Sequence, residues 1–241
     1  MMTYCYIDVE TTGVGANDRL CSIGMIVENG TSRVHAELIA PGRKVPPEAM
    51  AIHHITNEML ENAPAFEASE AAKLLASVNA PDTVLVGHNL AFDLQMLYKE
   101  GVTWRGGMID TLKAAKHLLG GEIDRFSLQY LRYELRLYRT ERTAAEALGI
   151  EIRPHHALSD ALHTKLLHRA LNEMADDERL MELTNEQALM HKLTFGKYAG
   201  KYIEDIARRD PRYLEWMLAS LTDLDADLQY SIEHYLREVR T

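Results

Sequence analysis

Asp8 and Glu10 stand two residues apart in the run Tyr4-Cys5-Tyr6-Ile7-Asp8-Val9-Glu10-Thr11-Thr12-Gly13. Alternate residues of a strand share a face, so both carboxylates project to one side while Cys5, Ile7 and Val9 take the other. Two carboxylates held side by side repel each other, and a fold keeps them together when a cation sits between them. Hard oxygen donors of this kind suit Mg²⁺ or Mn²⁺. On these residues alone a solvated acidic strand end is an equal reading, so acids elsewhere must decide. Asp93, in Asn89-Leu90-Ala91-Phe92-Asp93, falls in the first turn of a helix, where the dipole alone favours a carboxylate. His155-His156-Ala157-Leu158-Ser159-Asp160 supplies the third group. Five positions of a helix rotate through roughly 140°. His155 and Asp160 therefore meet at one point only if His155 comes from the loop before the helix, which Pro154 favours. An imidazole that titrates near neutral pH suits proton abstraction.

The elements that must carry these groups are legible in outline. Leu20 to Val27 and Ser32 to Ile39 flank the turn signal Glu28-Asn29-Gly30, so three neighbouring strands are expected at the start of the chain. A short helix is expected over Pro47–His54, another after Thr56, and a longer one over Glu67–Val78. Thr83–Val86 and Gly106–Ile109 read as further strands. Asn89 reads as the cap of a helix to about Glu100 that stops at Gly101. Helices follow from about Thr111, Ser127 and Thr140, another follows Pro154 and runs to about Met174, and the segment from about Thr194 is expected to carry at least two more. Strands in a hairpin followed by strands alternating with helices indicate an α/β fold with a mixed sheet. Asp176-Asp177-Glu178 marks a change to polar sequence. The expected organisation is a domain over 1–176, a linker over 177–191 and a small C-terminal α+β module over 192–241.

Composition narrows the function classes. With 46% hydrophobic residues the chain is ordinary for a globular protein. No apolar run is long enough for a bilayer and the start lacks a signal-peptide pattern, so no membrane partner and a cytoplasmic location are expected. Cys5 and Cys21 lie in apolar runs and offer neither a disulfide framework nor a metal cluster. A net charge of −10 argues against a protein that coats long nucleic acids, but not against an enzyme that grips a few nucleotides.

Taken together, Asp8-x-Glu10-Thr11, Asn89-x-x-Phe92-Asp93 and His155-x-x-x-x-Asp160 resemble the exonuclease motifs of the DEDD superfamily, histidine subclass. The resemblance spans about residues 4 to 170 and implies a ribonuclease H-like fold, a mixed five-stranded sheet flanked by helices. Ala51-Ile52-His53-His54-Ile55-Thr56 looks like that family's "IHGIT" segment beside the substrate, with His54 where glycine is usual. Thr194-Phe195-Gly196-Lys197-Tyr198-x-Gly200-Lys201 and Asp210-Pro211-x-Tyr213-Leu214-x-Trp216 resemble the C-terminal segment of the exodeoxyribonuclease X family. The resemblance implies 3′→5′ hydrolysis from DNA 3′ ends, expected to be single-stranded, with release of nucleoside 5′-monophosphates. It implies two Mg²⁺ ions, which Mn²⁺ can replace. Asp8, Glu10 and Asp160 would hold the first ion, Asp8 would bridge to the second with Asp93, and His155 would act as the base. Thr11, Thr12, His53, Ile55, Asn89 and Phe92 would line the substrate. An RNA-trimming relative uses the same five residues, and a catalytically silent binding module would have lost some of them.

Two weakly basic regions bear on binding. Arg125 to Arg142 contains five arginines interleaved with Tyr130, Tyr133 and Tyr138, which reads equally as a strand-binding face or as a solvated helix face with core tyrosines. In the tail, Phe195, Tyr198, Tyr202, Tyr213 and Trp216 are expected to form an aromatic core rimmed by Lys197, Lys201, Arg208, Arg209 and Arg212. His163 is expected on a helix surface, and Asp110 as the cap of the helix from Thr111.

Overall fold

The alternation at the start of the chain forms strand β1 (Thr3–Thr11) in the computed structural model, which describes residues 2–240. Strands β2 (Leu20–Asn29) and β3 (Thr31–Leu38) follow as an antiparallel hairpin that turns at Gly30. Gly30 holds φ of +70°, a conformation that costs glycine little. Strands β4 (Thr83–Gly87) and β5 (Gly107–Asp110) add in parallel on the other side of β1. The sheet order β3-β2-β1-β4-β5 is the expected mixed five-stranded sheet, with the strand that carries Asp8 and Glu10 at its centre.

Both faces of the sheet are covered. Cys5, Ile7 and Val9 pack with helix α2 (Glu70–Val78) and helix α3 (Leu90–Lys99). Tyr6, Ile26, Val84 and Ile109 pack on the opposite face. There the cover is α4 (Thr111–Leu119), α5 (Leu128–Glu134), α6 (Tyr138–Leu148), α7 (Ala157–Leu171) and α8 (Asp177–Asn185). Helix α1 (Pro47–His53), with proline at its first position, closes a smaller cluster of Cys21, Val45, Ala49 and Ile55.

Two local features aim the central strand. Glu10 pairs with Ser22 but Thr11 pairs with Leu20, so β2 bulges at Cys21 where β1 ends. Gly24 pairs with Asp8, and a Cβ on Gly24 would lie 2.2 Å from the backbone nitrogen of Leu158. The missing side chain lets the first turn of α7 settle directly over the acid-bearing strand.

Two expectations are corrected here. The stretch 177–191 is half helical: Asp176 accepts the amide of Arg179, and α8 buries Leu180 and Leu183. The polar run is a helix N-terminus, where acidic residues favour the dipole. In the tail, α9 (Ile203–Arg209), α10 (Pro211–Ser220) and α11 (Ala226–Arg240) enclose an aliphatic core of Leu193, Ile203, Ile206, Leu214, Met217 and Ile232. Phe195, Tyr202 and Trp216, expected inside, are exposed, because helical aliphatics already fill the space. Lys192 and Tyr202 form an isolated antiparallel bridge in this segment.

Candidate active site

Carboxylate oxygens of Asp8, Glu10 and Asp160 come within 4.8 Å of one another. Strand β1 supplies the first two on one face, and the first turn of α7 lowers Asp160 onto them beside Gly24. Asp93, buried in the first turn of α3, lies against the same strand, with the amide of Val9 directed at its carboxyl. Burial first, and then the charges of Asp93, Asp160 and Glu10, push Asp8 well above the usual carboxylate range. Burial and the charge of Asp160 raise Glu10 to about 8. Burial and the neighbouring Asp110 raise Asp93. Clustered acids that repel each other in this way favour a hard divalent cation, which one oxygen from each of three carboxylates can reach at once.

Asp160 is held from behind by a closed polar circuit. Its Oδ1 accepts from Gln129 Nε2 at 2.9 Å and from His163 Nδ1 at 3.3 Å. Arg132 donates to Gln129 Oε1 at 3.2 Å and to Glu141 Oε1 at 2.6 Å. His163 Nε2 lies 3.3 Å from Glu141 Oε2, at ion-pair distance but out of line for a hydrogen bond. His163 is thus buried, at 1% exposure, and not on a helix surface as expected. Helix α7 is buried almost all round, so most of its polar residues are shielded from water. Gln129, Arg132 and Glu141 were missed as site residues. Only the Asp160–His163 spacing of one helical turn gave any signal, since the other links join separate helices.

The residues expected to line the substrate mostly brace the loop after β1. His53 Nδ1 accepts the amide of Ile55, so the ring proton sits on Nε2, which donates to the carbonyl of Thr11 at 3.2 Å. Thr11 and Thr12 hydroxyls donate to Gly13 O and Asp18 Oδ1. Ile55 and Thr12 are buried. His54 holds φ of +62°, the left-handed conformation that glycine adopts most easily, which accounts for glycine in the related segment. Phe92, on α3 itself, is half-buried against the core, while Asn89 is exposed.

Asn89 does not cap α3 with its side chain; it sits at φ of +65°. The cap comes from Asp110, which accepts the amides of Asn89 at 2.9 Å and Leu90 at 3.1 Å. The same carboxylate caps α4 through the amide of Leu112 at 2.9 Å. One side chain therefore sets the starts of both helices. His88, next to it, is pushed down to about 4 by burial and bridges Thr111 and Phe126.

His155 lies in the loop before α7, as its spacing from Asp160 requires, at φ of +48° and exposed. Among the described residues no hydrogen bond or ion pair joins it to the acids. His156 occupies the N-cap position of α7 without a side-chain cap hydrogen bond and is half-buried, with Nδ1 buried and without a hydrogen-bond partner.

Comparison with known proteins gives the family. Residues 5–167 match the family described as Exonuclease, and residues 193–221 match the family described as Exodeoxyribonuclease X-like C-terminal. The chain is 30% identical over 238 residues to exodeoxyribonuclease 10 of Escherichia coli K12, spanning 95% of this chain and 97% of that protein. It is 30% identical over 202 residues to the PolC-type DNA polymerase III of Thermotoga maritima, spanning 80% of this chain and 14% of that one. A solved structure of exonuclease X with 5′-overhanging duplex DNA is similar at a TM-score of 0.55 and 24% identity, covering 76% of this chain and 99% of that chain. Exonuclease I is similar at a TM-score of 0.55 and 21% identity, covering 76% of this chain and 43% of that chain.

Proposed function

The chain belongs to the exonuclease family, and from that premise we propose that it is a metal-dependent 3′→5′ exonuclease that removes nucleoside 5′-monophosphates from single-stranded DNA ends. The observation that carries the reading is the convergence of Asp8, Glu10 and Asp160 within 4.8 Å, from a strand and a helix far apart in sequence. Asp93 completes the set of acids on the same strand end.

Asp8, Glu10 and Asp160 would hold one divalent ion, and Asp8 and Asp93 a second; Mg²⁺ fits these hard donors and Mn²⁺ can replace it. Bound ions of this kind activate a water and relieve charge on the attacked phosphate and the departing 3′-oxygen. His155 takes the proton of the attacking water at a ring nitrogen, from a loop that leaves its side chain open to solvent. The new P–O bond forms as the P–O3′ bond breaks, and the 3′-oxygen leaves protonated by solvent. The circuit of Gln129 and His163 holds the Asp160 carboxylate through its Oδ1. Asp110 keeps Asp93 in place by fixing the start of α3.

The test is nucleotide release from labelled single-stranded DNA with Mg²⁺ or Mn²⁺ and with chelator, beside a matched RNA strand. Asp160→Asn is expected to abolish release with the melting temperature retained, and His155→Ala to slow it by about 10²–10⁴-fold. A full-speed His155→Ala enzyme would move the base role to His156, whose buried Nδ1 lacks a partner. Absence of metal-dependent release from any strand by the wild type would overturn the reading.

A further inference from the structure

Beyond Gln129 the rim of the site carries groups that the hydrolysis leaves unused. Gln129, Arg132 and Tyr133 occupy positions i, i+3 and i+4 of α5, so they share one face within about one helical turn. Gln129 is the residue that touches Asp160. Tyr133 therefore stands one turn from a side chain in contact with the acid cluster.

Tyr133 and Tyr138 are not core residues, at 59% and 41% exposed. Their ring centroids lie 5.7 Å apart with planes tilted by 36°. The turn between α5 and α6 brings them together, with Arg136 at φ of +57°. The guanidinium carbon of Arg132 sits 5.0 Å from the Tyr133 centroid, its Nη1 is 3.3 Å from the Tyr133 hydroxyl, and Glu141 grips the same guanidinium. The Tyr133 ring is thus pre-set by a clamped neighbour, which lowers the entropy cost of binding a flat ligand. Arg136 and Arg139 are exposed beside the pair, and among the described residues neither has a carboxylate at ion-pair distance. Rings this close leave no room for a base between them, so a base must stack on the outer side of the pair.

We propose that Tyr133 and Tyr138 form a stacking platform for a nucleobase of the strand being degraded, with Arg136 and Arg139 meeting the phosphates of its upstream backbone. Aromatic faces with nearby cations bind single strands with little regard for sequence, which is what an enzyme that shortens a strand nucleotide by nucleotide requires. This proposal rests on the exonuclease reading. It assigns the tyrosines to substrate binding, with no part in the bond-breaking step.

The experiment measures binding of single-stranded oligonucleotides, under chelation to prevent turnover, with 2-aminopurine placed at successive positions from the 3′ end. Wild type is expected to change the fluorescence of the base on the platform. Tyr133→Ala and Tyr138→Ala should lose that change and bind roughly ten-fold more weakly, while Tyr133→Phe and Tyr138→Phe keep both, because the ring face and not the hydroxyl makes the contact. Arg136→Ala and Arg139→Ala should each lower the salt slope of binding by about one. Alanine variants that bind and report like wild type overturn the platform, and so do phenylalanine variants as weak as the alanine ones. Metal-dependent hydrolysis by the wild type, run separately, keeps the two readings apart. An active wild type with unaffected alanine variants removes the platform alone, and an inactive wild type removes the exonuclease reading.

Discussion

At the scale of single residues the acids are set against each other, and that has a measurable pH signature. Glu10, pushed up to about 8 from an ordinary 4.5, keeps a proton in the folded, cation-free protein that the unfolded chain has already released. Folded protein then binds more protons than unfolded across that window, so stability falls as pH rises through it. Asp8 and Asp93 are raised as well and act with the same sign. His88, held down at about 4, acts oppositely, removing stability as pH falls from 6.5 towards 4. Melting curves in chelator from pH 6.5 to 8.5 should therefore show a falling transition temperature, and Glu10→Gln should flatten the fall. Added Mg²⁺ should stabilise most at the alkaline end, where the ligands are already ionised. The circuit behind Asp160 gives a second test. Glu141→Gln is expected to cut kcat by about 10–100-fold with the fold intact, and an unchanged kcat would make the circuit purely structural. The meeting of Asp8, Glu10 and Asp160 was legible because clustered carboxylates and the family resemblance both pointed to it, and so was the place of His155 in the loop before α7. Gln129 and Arg132 were not, because nothing local marks a glutamine that will meet an aspartate 31 residues away.

At the scale of elements, the site depends on how closely α7 approaches the sheet. Gly24→Ala would place a methyl group 2.2 Å from the Leu158 nitrogen, so either the helix or β2 must move. A displacement near 1 Å at Asp160 is enough for about a 10²-fold loss of hydrolysis, and the overpacking itself should cost about 1–3 kcal/mol. Kinetics and denaturant melts on Gly24→Ala check both figures, and full activity would show that α7 can shift freely. The strands were readable from alternation and turn residues. The start of α3 at Asn89 was readable, but its capping side chain was not, because Asp110 arrives from the end of another strand. His163 was misread because a polar residue on a helix suggests water, whereas α7 is enclosed on nearly every side.

At the scale of the whole molecule, the tail is fastened to the body by a few polar groups, of which Asp227 and Ser231 are buried. Asp227 at the start of α11 accepts from both Lys113 and Lys116 of α4 and from the amide of Ala188. Ser231 accepts the amide of Met190, and Lys192 pairs with Asp124. Asp227→Ala would leave the amide of Ala188 unpaired, Lys113 with only the carbonyl of Glu186 and Lys116 with only Asp225, and a loss of about 2–4 kcal/mol is expected in a denaturant melt. A loss under half of that would place the main fastening in the apolar contacts. The existence of a distinct C-terminal segment was readable from its motifs, and its attachment was not. Asp225 and Asp227 look in sequence like ordinary acids on a polar helix start.

Because Asp227 is only 1% exposed, its links to the lysines are largely sheltered from dissolved ions. Phosphate contacts at an open rim are not, and weaken steeply as ionic strength rises. Concentrated salt should therefore strip nucleic acid from the protein while its two parts stay joined.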